Sequence, residues 1–257
     1  MTETAIQKQL ETRIFGRKTF LFSSIDSTNT YAKSLALDGA SEGTVVVADH
    51  QTVGRGRLNR AWLSEPGLSL LFSLIVRPTI IPERLGVLSL MAAVAVVQGI
   101  CDFAPIELEC KWPNDVLIKG KKICGILLES VFQNSELVGV IIGVGLNVNQ
   151  TVFVDELRDK ATSLKLTLGR SVDRNTILAL VLKRMENLYE ILQAGGHEQI
   201  LELWKVHTKM LGKGIKISQR GTTIEGIAKS VGANGELIIQ SDGVEAKVFA
   251  GDVTVIA

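Results

Sequence analysis

The sequence predicts an α+β protein, a sheet of largely apolar strands flanked by helices, followed by a small C-terminal β-barrel. Three observations predict it. The runs TVVVA (44–48), LSLLFSLIV (68–76), KICGILLESV (122–131) and LVGVIIGVGLNV (137–148) are largely apolar and of strand length, the first a continuous β-branched run. Helical stretches at 82–100, 175–193 and 198–210 separate or follow them. Beyond Gly212, short alternating runs (IKIS, ELIIQ, AKVFA, VTVIA) are punctuated by glycine, which is the texture of a small barrel. The change places a boundary near Leu211 and divides the chain into an extension (1–17), a main domain (18–211) and a barrel (212–257).

Each element follows from local chemistry. Lys18 to Ser23 is a short β-like run, after which Asp26 or Ser27 caps the helix implied by Tyr31, Leu35 and Leu37. Gly39 closes that helix. Ser27, Thr28 and Asn29 are either capping groups or hydrogen-bonding partners of a ligand. Pro82 and Glu83 open a helix to about Ile100 that is apolar on nearly every face and so belongs in a core. Its apolar run is interrupted by Gly86, Ser89, Gln98 and Gly99, and reads as too short and too polar to span a bilayer. Ile106 to Cys110 alternates like a half-buried strand. In the following KWPND (111–115), Pro113 has no backbone donor, so the pentapeptide breaks the ladder and turns its side chains outward. Lys119-Gly120-Lys121 is a tight turn into a hairpin whose link is Gln133-Asn134-Ser135. Gly125, Gly143 and Gly145 lie inside its strands, where glycine suggests close approach of a ligand or another backbone. The amphipathic helix at 175–193 is stopped by Gly195-Gly196.

With 46% apolar and 21% charged residues in 257, the chain has the makeup of a packed protein rather than a disordered one. Lys plus Arg number 28 against 27 for Asp plus Glu, so a net charge of +1 offers no broad field for a polyanion, and nucleic acid is not an expected partner. The polar N-terminus lacks the apolar stretch of a secretory signal, which makes a cytoplasmic location the expectation. Cys101, Cys110 and Cys124 have no paired spacing and read as buried, reduced thiols. His50, His197 and His207 are dispersed, and no GxSxG elbow is present, so neither a zinc site nor a serine hydrolase is indicated.

The positive charge is instead local. Gly54 to Trp62, GRGRLNRAW, holds three arginines, two glycines and a tryptophan. Such a segment cannot enter a core without stranding its charges. Glycine lets backbone approach a ligand, arginine offers a planar fork to phosphate or carboxylate, and Trp62 offers a face for an aromatic base. A solvated basic loop is the plain alternative, but the segment joins two strand-like runs without linker composition. No P-loop is present. The two GxG sites also fail the dinucleotide pattern, since Asn59 and Val148 stand where a third glycine is expected. Candidate phosphate donors are Arg57, Arg60, Lys111 and Lys122, on three segments that sheet pairing can bring together. Asp115 could hold Mg²⁺ beside the neutral Asn114 and Asn147. Each lysine alone reads as a surface charge; their placement at strand ends beside glycines argues for a shared site.

These residues carry a family resemblance. GRGRLNRAW (54–62), KWPND (111–115), KICGILLE (122–129) and IGVGLNVN (142–149) resemble the successive signatures of biotin protein ligases, in the family's order. IDSTN (25–29) lies upstream, ATSL (161–164) follows, and AGDV (250–253) closes a resemblance running from about residue 18 to the end. The family usually carries glycine where this chain has Asn59; asparagine also tolerates a left-handed backbone, so the loop shape should survive. No helix-turn-helix precedes Lys18, which resembles the monofunctional class without a DNA-binding domain.

The resemblance implies a mixed, mostly antiparallel sheet of the class II synthetase type with an SH3-like C-terminal barrel. It implies that biotin is activated by Mg·ATP to biotinyl-5′-AMP and passed to a lysine of a biotin carboxyl carrier protein, an acetyl-CoA carboxylase subunit or a related carboxylase. By similarity, Ser27, Thr28, Asn29 and Gln51 hold the ureido ring, Arg55, Gly56 and Arg57 fold over biotin and its adenylate, and Gly125 leaves room for biotin. Lys122 lies between biotin's carboxylate and the α-phosphate. Arg60, Lys111 and Asn114 meet the ATP phosphates, Trp62 the adenine and Asn147 the nucleotide. Asp115 sits near Mg²⁺ and is a candidate base for the carrier lysine. A homodimer through an exposed sheet edge is compatible with the strand pattern. Two rivals remain: a lipoate protein ligase, whose family lacks the GRGRxxRxW segment, and a non-catalytic biotin or nucleotide-binding regulator, which would tolerate loss of Lys122 and Asp115.

Overall fold

A computed structural model describes residues 1–219, 221–241 and 243–256, with the side chains of Asn59 and Gln219 outside the described set. The seven strands of the main sheet are β1 (Thr19–Phe22), β2 (Val45–Ala48), β3 (Ser69–Val76), β4 (Glu109–Lys111), β5 (Asp115–Ile118), β6 (Lys121–Gln133) and β7 (Glu136–Asn147). Their spatial order is β1-β2-β3-β7-β6-β5-β4. Only the β1/β2 pair is parallel, as a mixed, mostly antiparallel sheet requires.

Side chains alternate across a strand with period two, and this alternation builds the molecule. One face carries Leu70, Phe72 and Leu74 of β3, Ile142, Val144 and Leu146 of β7, and Cys124 and Ile126 of β6. These share one core with helix α3 (Gly86–Phe103) and helix α5 (Arg174–Gln193). The opposite face is covered only in part. Ala32 and Ala36 of helix α2 (Thr28–Leu37) pack on Val46, Ile75, Val131 and Ile141. Farther along the same face, Gly125, Gly143, Gly145 and Asn147 border a cavity instead of a helix. The register aligns them, with Gly145 opposite both Leu71 and Gly125, and Gly125 opposite Asp115.

Several expectations need revision. The strand read at 106–110 is Glu109–Lys111, and β5 arises where the sequence suggested only a broken ladder, so KWPND is the turn of a hairpin that pairs Lys111 with Asp115. The extension at 1–17 contains helix α1 (Glu3–Gln9), and Ile6, Leu10 and Phe15 reach the core. Glu186 of α5 fastens this segment by accepting the backbone N–H groups of Arg13, Ile14 and Phe15 at 2.7, 2.7 and 2.8 Å. Pro82–Phe103, including a 3₁₀ turn before α3, does reach the length and mean hydropathy (1.9) of a membrane span, but most of it is buried inside the protein. Cys110 and Cys124 are buried as free thiols, and burial pushes both upward in pKa, whereas Cys101 is exposed.

After the short helices α4 (Leu164–Leu168) and α6 (His197–Val206), the chain forms β8 (Gly214–Gln219), β9 (Thr222–Val231), β10 (Leu237–Ser241), β11 (Val244–Val248) and β12 (Asp252–Val255). Their order is β11-β10-β9-β8-β12, and a β11/β12 pairing that would close a barrel is absent among the described residues. This sheet shares the main core through Ile215, Ile217, Ala228 and Leu237. The buried Trp112 donates its indole N–H to Gly235 O at 2.9 Å. Gly86, at the start of α3, fits because a Cβ there would stand 2.7 Å from Asn234 O.

Candidate active site

The cavity over the glycine face has a volume of about 470 Å³. It is bordered by Ser27, Thr28, Asn29, Gln51, Arg55, Gly56, Arg57, Arg60, Trp62, Lys111, Asn114, Asp115, Lys122, Gly125 and Asn147, so the residues expected to share a site from five separate stretches do share one. Phe153, Asp159, Lys160, Ala161 and Asp252 are among the further residues that line it.

At the end nearest α2, Ser27 occupies the N-cap position without making a capping bond through its side chain. Gln51 takes that task, its Oε1 accepting the Thr28 N–H at 2.7 Å and the Thr28 hydroxyl at 2.9 Å. Asp26 is occupied in accepting the N–H of Ser27 at 2.6 Å. The capping expected of Asp26 or Ser27 therefore falls to a residue of the next segment, and Ser27 is left to face the cavity. Asn29 lies over Gly143, where any Cβ would collide with its amide. Its Nδ2 donates to Glu129 Oε2 at 2.7 Å, and its Oδ1 accepts from Ser73 Oγ at 2.5 Å.

The basic loop closes on itself through Gly56 N–H to Arg60 O at 2.6 Å and Trp62 N–H to Gly54 O at 2.9 Å. Its left-handed residue is Leu58 (φ 54°, ψ 39°), one position before the Asn59 at which that conformation was expected. A leucine there is strained by roughly 1–3 kcal/mol. The loop's cations are already partnered. Arg55 pairs with Glu129 at 3.1 Å, Arg57 donates to Asn114 Oδ1 at 3.1 Å, and Arg60 makes a two-pronged pair with Asp252 in which Nη1 meets Oδ1 at 3.1 Å. Desolvation by burial lowers the pKa of Arg57, against the pull of Asp252 and Asp115 in the other direction.

From the opposite wall, Lys122 Nζ stands 2.6 Å from Asp115 Oδ1, at ion-pair distance but without the alignment of a hydrogen bond, and 5.6 Å from the centroid of the Trp62 ring. Lys111 forms no ion pair among the described residues. The Trp62 ring covers Gly125 and Gly145, so the close approach foreseen at the strand glycines is made by side chains: a Cβ would meet the ring at 2.9 Å and 2.5 Å respectively. Trp62 Nε1 is buried without an acceptor. Asn114 and Asn147 spend their Nδ2 groups on Ile126 O (2.6 Å) and Thr162 O (3.1 Å), which fixes both amides at the cavity edge. No group of three or more His, Cys, Asp or Glu side chains gathers among the described residues, so Asp115 is not part of a metal cage there.

Sequence reading missed Ser73, Glu129 and Asp252. Glu129 had a usable signal, since it follows Gly125 and Leu127 at period two on one face of β6. Asp252 lay within the closing AGDV, but nothing in its spacing joined it to a loop so far upstream.

Cations gathered beside hydroxyls and amides, above a glycine-lined sheet, define a site that binds an anion together with a polar ring. The profile of the Biotin/lipoate A/B protein ligase family matches residues 21–147. The chain is 38% identical to the bifunctional ligase/repressor BirA of Bacillus subtilis over 98% of this chain and 78% of that protein. It is 36% identical to the biotin–[acetyl-CoA-carboxylase] ligase of Mycobacterium tuberculosis over 88% and 85%. A biotin protein ligase from Aquifex aeolicus, solved in complex with biotin and ATP, superposes with a TM-score of 0.81 at 29% identity, over 93% of this chain and 99% of that one. This chain belongs to the biotin protein ligases, and it is an enzyme.

Proposed function

We infer that the protein joins biotin to a carrier lysine in two steps at this cavity, and that Arg57, Arg60, Lys111 and Lys122 converging on one volume is the observation that carries the inference. In the first step an oxygen of biotin's carboxylate attacks the α-phosphorus of ATP, a P–O bond forms, and pyrophosphate leaves. In the second the lysine amine attacks the acyl carbon, AMP leaves, and the amine gives up a proton. Both steps concentrate negative charge on oxygens, and cations fixed beforehand stabilise that charge more in the transition state than in the ground state.

Ser27, Thr28, Asn29 and Gln51 are assigned to biotin's ureido ring, supported by their shared position at the α2 end and by the Ser27 hydroxyl's freedom from capping. Arg55, Gly56 and Arg57 close over biotin and the adenylate. Lys122 is the principal stabilising cation between carboxylate and α-phosphate; Arg60, Lys111 and Asn114 serve the phosphates, and Trp62 and Asn147 the nucleotide. Gly125 keeps the floor low enough to seat biotin against the Trp62 ring. Mg²⁺ arrives as part of Mg·ATP, and Asp115, in contact with Lys122, is the carboxylate assigned to it. The contact of Asp115 with Lys122 supports a further task, holding that ammonium in line. As the base for the carrier lysine, whose unperturbed pKa is about 10.4, Asp115 would act once ligand draws Lys122 away.

Residues 18–211 form the catalytic domain in this proposal, and 212–257 a second domain that lends Asp252 to the wall. The carrier is a biotin carboxyl carrier protein, the location is cytoplasmic in keeping with the free buried thiols, and two subunits pair through an exposed sheet edge. The lipoate reading is not favoured, because the relative at 36% identity is by name a biotin–[acetyl-CoA-carboxylase] ligase and the similar Aquifex aeolicus structure is a biotin protein ligase. Incubation with labelled biotin, ATP and an apo carrier domain tests the proposal: label on the carrier is expected, and label only when lipoate replaces biotin would overturn it.

A further inference from the structure

One hydrogen-bonded chain runs across the α2 end of the cavity and returns to the loop where it began. Gln51 Oε1 accepts from the Thr28 hydroxyl at 2.9 Å, Thr28 Oγ1 lies 2.8 Å from Ser73 Oγ, and Ser73 Oγ donates to Asn29 Oδ1 at 2.5 Å. Asn29 Nδ2 donates to Glu129 Oε2 at 2.7 Å, and the same oxygen receives Arg55 Nη2 at 3.1 Å. Gln51 and Arg55 are four positions apart in sequence, yet they are joined through two strands and a helix.

Counting protons shows which member directs the rest. An amide can present either end to a neighbour, and a hydroxyl can donate or accept. A carboxylate only accepts. Facing Glu129, Asn29 must therefore turn its NH₂ that way and its oxygen to Ser73. That in turn commits the single Ser73 proton to Asn29, so the 2.8 Å contact between Thr28 and Ser73 can use only the one Thr28 hydroxyl proton, which Gln51 otherwise receives. Glu129 also offers Arg55 the counter-charge it meets in this wall, on a side chain 24% exposed against 41% for the arginine.

We propose that Glu129 is a positioning residue for the biotin end of the cavity: its carboxylate orients the Asn29 amide and pins Arg55, so that the pocket floor and the basic loop are set by one group. This rests on the assignment of Ser27 to Gln51 and Arg55 to biotin given above. Because Lys111, Lys122 and Arg60 lie outside the chain, the effect falls on biotin rather than on ATP.

The test is Glu129→Gln, which keeps the shape and one acceptor oxygen but removes the negative charge. In the ligand-free protein, trypsin cleavage after Arg55 should speed up by up to about fivefold, since an ion pair exposed on one side contributes up to about 1 kcal/mol. With both substrates, KM for biotin should rise by about tenfold or more while KM for ATP stays within about twofold and the thermal midpoint is unchanged. An unchanged cleavage rate, or equal rises in both KM values, overturns the proposal. If the wild-type protein handles no biotin at all, the functional reading fails, and the ligand-free cleavage rate still decides whether Glu129 pins the loop.

Discussion

Arg60 of the basic loop and Asp252 at the start of β12 face each other as a two-pronged ion pair, so a residue near the end of the chain holds one near its first quarter. The pair is well exposed on the arginine side, and exposed pairs contribute at most about 1 kcal/mol. Its importance is positional. Asp252→Ala should raise KM for ATP up to about fivefold with biotin affinity and melting temperature unaltered. Steady-state kinetics with each substrate varied in turn checks this, and a loss of biotin affinity alone would contradict it.

Lys122 stands between Asp115 and the Trp62 ring. Lys122→Ala should slow adenylate formation by about 10²–10³, the range seen when one transition-state charge stabiliser is removed, with a smaller change in KM for biotin. Lys122→Arg should not restore the rate, because a planar fork does not reproduce a point charge. Single-turnover release of pyrophosphate separates the chemical step from binding.

The strand glycines hold the ring in place. Gly145→Ala would put a methyl group 2.5 Å from the Trp62 ring, and the strand itself, free of any left-handed φ there, would accept alanine. The expected result is a displaced tryptophan, visible as a shift in fluorescence, and KM values raised for both substrates, with stability lowered by about 1–3 kcal/mol.

Amide exchange across 54–62 should slow when biotin and ATP are both present, because the ligand gives the loop's cations new partners and closes the cavity to water. Equal exchange rates with and without the pair of substrates would refute loop closure.

Away from the site, hydrogen bonds from Arg184 hold the Asp102 carboxyl below its usual pKa. A carboxyl lowered in the folded state stabilises above its unfolded pKa of about 3.9, and that contribution is lost as pH falls through the folded value. Asp102→Asn should therefore cost up to about 1 kcal/mol at neutral pH, given partial exposure, and make no difference in strong acid. Denaturant titrations at the two pH values test the sign.

Much of this is legible in the sequence alone, and for a physical reason. The β6/β7 hairpin, the core helix α3 and the glycine face follow from period-two and all-round apolar patterns that packing did not override. The hairpin β4/β5 did not, because a four-residue strand two residues beyond Pro113 is shorter than any periodicity can register. Ser73 was hidden inside a run that is apolar apart from it and Ser69, and its function depends on Asn29, which only the α2 packing brings near. Asp252 is a matter of tertiary packing alone: the C-terminal sheet had to share the main core before its first strand could reach Arg60.

The most direct measurement of the central claim is isotope exchange between labelled pyrophosphate and ATP in the absence of any carrier. Exchange that requires biotin, is not supported by lipoate, and falls by about 10² or more in Lys122→Ala is the expected result. Exchange that ignores biotin, or survives the loss of Lys122 unchanged, would contradict the assignment of this cavity to biotin activation.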